Sequence, residues 1–156
     1  MEAGRTALGL AALALVGTAC GGSSDKQPPA AAGPKGPPPR VSGVSSAPPP
    51  AWVETQAGDH WLAFFGYCWS TTCLDSRPVE QRTDIPRISV TKGEVVRFHL
   101  GFEPTSLSLK VGSRTYPLRA GRVSTWRVRG GSGTAFLNAR GEAGSAGYVA
   151  HLLVRA

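Results

Sequence analysis

Three cysteines and three histidines are the side chains of this 156-residue chain best suited to forming a covalent link or holding a metal. Two of the cysteines fall in one stretch, His60-Trp61-Leu62-Ala63-Phe64-Phe65-Gly66-Tyr67-Cys68-Trp69-Ser70-Thr71-Thr72-Cys73-Leu74-Asp75. Thiols this close, in an oxidising compartment, join as a disulfide. Closing so short a loop contributes about 2 kcal/mol on the chain-entropy model. A redox pair more often has two residues between its cysteines and a cation or helix N-terminus to lower one pKa. Here four residues intervene and no helical period surrounds them. Zinc would find His60, Cys68 and Cys73, with no fourth ligand and no finger spacing. Type 1 copper needs a methionine and a histidine close after the cysteine, and Met1 is the one methionine in the chain. No metal or cofactor is expected.

Catalytic patterns are equally absent from the sequence. No Gly-x-Ser-x-Gly elbow surrounds Ser132 or Ser145, and there is no His-Glu-x-x-His or phosphate loop. The expectation is therefore a protein that is not an enzyme. Two groups of residues are candidates for binding. On a regular strand Trp61, Phe65, Tyr67 and Trp69 share one face against Leu62 and Phe64; such a face is either core, in a strand buried on both sides, or a platform for sugar rings or an apolar partner. Trp69, next to the disulfide loop, is expected to be the most exposed. The second group is basic: Arg127 and Arg129 fall on one outward face and, with Arg114, Arg119, Arg122 and Arg140, form either a scatter of solvated charges or a patch able to hold carboxylates or phosphates bidentately.

These side chains need a scaffold, and the pattern of the chain is that of strands. No long stretch shows the 3.6-residue period, whereas short alternating runs recur between turn signals about every ten residues. Strands are predicted at 52–56, 61–69, 87–91, 95–102, 106–111, 114–118, 123–128, 134–139 and 148–155. In one of them Val96, Phe98, Leu100 and Phe102 share a face; in others Leu107, Leu109 and Val111, or Tyr148, Ala150, Leu152 and Val154, do the same. Two sheets with such rows on their inner faces make an all-β, antiparallel β-sandwich. Residues 51–156 suffice for one such domain.

The run Pro86-Arg87-Ile88-Ser89-Val90-Thr91-Lys92-Gly93-Glu94-Val95-Val96-Arg97-Phe98 resembles the strand-turn-strand opening of many bacterial immunoglobulin-like and cupredoxin-like sandwiches. That resemblance implies an immunoglobulin-like fold class, with Ile88 and Val90 facing inward. The Gly-Tyr-Cys-Trp segment ending at Trp69 resembles one found in small exported bacterial lipoproteins.

The first 19 residues carry one cation, Arg5, before an apolar run too short to span a bilayer, and read as a signal peptide. Gly17-Thr18-Ala19-Cys20 resembles a degenerate lipobox of bacterial, actinobacterial-type lipoproteins, which implies that Cys20 is lipidated, by a palmitate-class acyl group among others. Lipidation of Cys20 would leave Cys68 and Cys73 as a pair, and several acyl chains would anchor the protein stably. Ordinary secretion with cleavage at the same bond is the alternative. Residues 20–50, rich in Pro, Gly and Ser, are expected to form a disordered tether.

The whole reads as a membrane-anchored, extracytoplasmic module of the cell envelope with a non-enzymatic binding or structural role. The net charge of +7 favours anionic lipid or wall polymer; a glycan or an envelope protein is the other class of partner. Nucleic acid is not expected, and neither is oligomerisation. The alternative is a small-ligand or metal carrier built on the aromatic residues around His60.

Overall fold

In a computed structural model the described residues are 32–41 and 46–156. The signal peptide expected at 1–19, the lipidation expected at Cys20 and part of the expected tether lie outside them. Alternation dominates the rest: every regular element but a 3-10 turn at Val79–Gln81 is a strand. One sheet has the order β2-β1-β6-β9, from β1 (Ala51–Thr55), β2 (Gly58–Trp61), β6 (Val95–Leu100) and β9 (Val123–Arg127). The other runs β4-β3-β11-β10-β7-β8, from β3 (Ala63–Trp69), β4 (Thr72–Leu74), β7 (Ser106–Val111), β8 (Arg114–Leu118), β10 (Gly133–Gly141) and β11 (Gly144–Arg155). β5 (Arg87–Thr91) completes it by pairing in parallel with His151–Arg155 at the end of β11. All other pairs are antiparallel.

The all-β, immunoglobulin-like sandwich expected from the pattern is what forms. Val53, Val96, Phe98, Leu100 and Trp126 of the smaller sheet meet Leu107, Leu109, Leu137, Tyr148 and Leu152 of the larger, each buried to 6% exposure or less. Ile88 and Val90 face inward, at 0% and 3%. At about 25 cal/mol per Å² such side chains each contribute about 1.5–3 kcal/mol, and Phe98→Ala should cost about 3–5 kcal/mol.

The expected strand at 61–69 is two strands in different sheets. The amide of Leu62 still donates to Ala51 in β1, at 3.0 Å, whereas Ala63 pairs with Val149 of β11. Leu62 is thus the corner at which the chain changes sheets. A second departure follows at Gly66, whose φ is +68°, where the register with β11 shifts between Ala146 and Tyr148. This bulge adds a residue and reverses the alternation. Phe64, Tyr67 and Trp69 pack on the main core, while Phe65 turns outward with Ala63 and joins Ile85, Val149, Val79 and Phe136 in a second apolar cluster.

The tether does not run free as far as Pro50. Pro48 is buried, Val41 and Ala47 pack against the core, and the Tyr148 hydroxyl donates to the carbonyl of Pro49 at 2.7 Å. Gly101 makes room for this segment, since a Cβ there would lie 2.4 Å from Cβ of Pro49. Proline suits the role because its φ is already fixed, so little backbone entropy is lost on docking. The folded part therefore begins before residue 51.

Candidate functional site

A concave surface with converging polar groups lies on the outer face of the larger sheet. Two rows cross it: Ser106 of β7, Arg140 of β10, Ser145 of β11 and Cys68 of β3, and beside them Ser108, Asn138 and Gly147. With strands about 4.8 Å apart the first row spans about 14 Å. Serines and glycine leave the floor low, and a trough of about 410 Å³ results. Phe65 forms one wall and Asp75 stands at its edge. The Phe65 ring is braced edge-to-face by Phe136, with centroids 4.8 Å apart.

The floor is bare because backbone needs the space. A Cβ on Gly147 would lie 2.3 Å from the carbonyl oxygen of Phe65, and one on Gly144 would lie 2.0 Å from that of Cys68. Both glycines let β11 approach the bulged strand. Cys68 and Cys73 are joined by a disulfide across β3 and β4, which ties the hairpin leading to Asp75. On the other side of that loop the Arg82 guanidinium, 12% exposed, donates to the Phe64 carbonyl and to Ser76 Oγ, both at 2.6 Å, and to both oxygens of Asp84. This hydrogen-bonded guanidinium holds the Asp84 carboxyl below the usual carboxylate range, against a smaller opposing effect of burial. Asp75 is thereby held between two anchored points.

Chemically the trough offers a carboxamide, a guanidinium, a carboxylate and three hydroxyls on a rigid floor, with one aromatic ring at the side. The four ion pairs of the described residues use none of these groups. Planar two-headed groups such as Asn138, Arg140 and Asp75 match vicinal hydroxyls, and an aromatic ring matches the C–H face of a sugar. His60, His99 and His151 all lie outside the lining.

The residues singled out from sequence are dispersed. Tyr67, offered as part of a stacking platform, is 5% exposed in the core, so that expectation is corrected; the bulge turned it inward. Trp69 is half-buried, as Trp61 and Phe65 are, and its ring packs edge-to-face on Phe102 at 4.7 Å. Trp61 lies at the edge of the smaller sheet, donating from Nε1 to the Gly36 carbonyl at 3.3 Å. Arg127 is exposed and donates to the Gly93 carbonyl at 2.7 Å, and Arg129 lies beyond the strand end near Arg114. His60 pairs with the buried Val53 and its Nε2 is buried without a partner. Among the described residues no three His, Cys, Asp or Glu side chains are grouped to hold a metal, and none of their helices is long and apolar enough to cross a membrane.

Asn138, Ser145 and Asp75 were missed from sequence. The available signal was small polar residues on the outward positions of consecutive strands, as at Ser106 and Ser108. Comparison with family models, curated proteins and solved structures finds no match.

Proposed function

We propose that this chain is a lipid-anchored, extracytoplasmic lipoprotein of the cell envelope whose sandwich is a non-enzymatic binding module, and that its trough takes a glycan. The observation that carries the binding reading is the bare floor under Asn138, Arg140 and Asp75, with Phe65 at its side and no ion pair closing it. Pockets of this size with a few oriented polar groups are the usual form of a small-ligand site. The anchor rests on Gly17-Thr18-Ala19-Cys20 after a short apolar run. The rival carrier built around His60 has less support, because His60 points into the core while Cys68 is committed to the disulfide on the opposite sheet.

Retention of the protein on a panel of immobilised neutral oligosaccharides tests the binding reading. One class of sugar should retain the wild type, and Asn138→Ala should weaken it at least tenfold. Equal behaviour of the two proteins on every sugar would remove the trough from consideration. For the anchor, Cys20→Ala should move the protein out of the membrane fraction; a variant that stays would end that reading.

A further inference from the structure

A second, smaller cleft lies away from the trough, with none of its lining residues in common. The two-residue turn Gly112-Ser113 between β7 and β8 and the glycine loop after β9 border a cavity of about 330 Å³. Arg114 and Arg129 both line it, beside Tyr116, Gly130 and Gly131, and no carboxylate does. Both arginines are exposed, and neither belongs to the ion pairs of the described residues, which engage Arg82, Arg97, His99 and Arg122. Two guanidiniums lining one cleft with no carboxylate among its lining residues repel one another, and an anion bound between them removes that cost.

The backbone points the same way. Whereas the amide of Gly112 is already donated to the Thr134 carbonyl at 3.2 Å, in the loop after β9 Gly130 has a φ of +87° and Gly131 beside it a negative one. Such alternation turns successive amides towards one side and makes anion-binding concavities. A Cβ on Gly112, Gly130 or Gly131 would touch nothing within 4 Å, so the loops leave open space for a ligand.

We infer that this cleft binds a tetrahedral oxyanion, the phosphate of a phosphate ester, gripped by Arg114 and Arg129 and by amides of the Gly130-Gly131 loop. Guanidinium geometry suits phosphate bidentately, and the net charge of +7 raises the local concentration of anions. The inference does not depend on the glycan reading of the trough.

The test uses the full chain carrying Cys20→Ala, so that no acyl group at that position contributes to membrane binding. Inorganic phosphate and glycerol phosphate, titrated at constant ionic strength against chloride, should shift the amide resonances of residues 112–114 and 130–132 to saturation. Arg114→Ala and Arg129→Ala should each weaken binding at least about tenfold, equivalent to about 1.4 kcal/mol. Arg127→Ala removes the same charge outside the cleft and should change it less than about twofold. Sedimentation with phosphatidylglycerol vesicles, set against phosphatidylcholine, separates the sources. Co-sedimentation lost in Arg129→Ala assigns the phosphate to a lipid headgroup, whereas glycerol phosphate binding with indifference to vesicles assigns it to a soluble ester. No saturable shift at the two loops, or equal weakening by Arg127→Ala, would overturn the inference.

Discussion

The two outer faces of the sandwich are built in opposite ways. On the smaller sheet, large side chains cover the strands and satisfy one another: Trp52 lies flat on His99 with centroids 3.6 Å apart, and Glu54 accepts from Arg97 at 2.8 Å and faces His99 Nε2 at 3.2 Å. On the larger sheet the corresponding positions hold Ser106, Ser108, Ser145 and Gly147, and the polar side chains among them are left out of the ion-pair network. A face that spends its polar groups on itself has little to offer a ligand. Serine and glycine at outward positions do the opposite, because they expose floor and leave Asn138 and Arg140 unengaged.

The contrast can be broken or sharpened by substitution, and the largest effect should come from the open face. Gly144 has a φ of +144° and its Cβ would lie 2.0 Å from the Cys68 carbonyl, so Gly144→Ala adds a steric clash to an unfavourable backbone. Chemical denaturation should show a loss of about 3 kcal/mol. If the loss is slight, the β3–β11 approach is softer than drawn and the trough floor is not rigid.

Between the faces, Tyr148 is 0% exposed and donates to Pro49. Tyr148→Phe leaves that carbonyl unpaired in the interior and should cost about 1–2 kcal/mol. Burial also raises the Tyr148 pKa well above its usual value. The folded state then holds a proton that the unfolded chain releases near pH 10, so this contribution is intact below pH 10 and declines as the pH climbs above it. The steepening of the loss in stability beyond pH 10 should diminish in Tyr148→Phe; an unchanged slope would place the alkaline sensitivity elsewhere.

On the closed face, Glu54→Ala should cost about 1 kcal/mol or less, because the pairs it breaks are partly exposed and screened. A small step of this kind, shrinking further in high salt, fits a face held by redundant side chains. Smallest of all is the stability effect of Asn138→Ala, expected within about 0.5 kcal/mol. Its effect should appear in sugar retention alone. A large loss of stability would mean that Asn138 is structural and that the trough is no more available than the other face.

The order in which these residues became legible follows the range of the interactions involved. Alternation of apolar and polar residues acts between neighbours, so Val96-Arg97-Phe98-His99-Leu100 and Ser106–Val111 announced their strands and their buried sides. Two cysteines with four residues between them similarly announced their own pairing. The same reasoning failed at Gly66, where one glycine of positive φ inverted every later position of its strand and sent Tyr67 and Trp69 inward. It failed again at Pro48-Pro49-Pro50, whose composition reads as tether although Tyr148, 99 residues beyond Pro49, holds it in place.

By itself, then, the sequence determined the all-β class, most strands, the inner rows of the core and the Cys68–Cys73 link, because each depends on residues close along the chain. Only the tertiary structure decided which polar side chains meet. Ser106, Asn138, Ser145 and Cys68 come from four strands, and their adjacency rests on register, which is set by the β3 bulge and by the glycines that allow β11 to lie against it. Register is a property of strand pairs, and a one-residue slip would turn the same side chains to the other face.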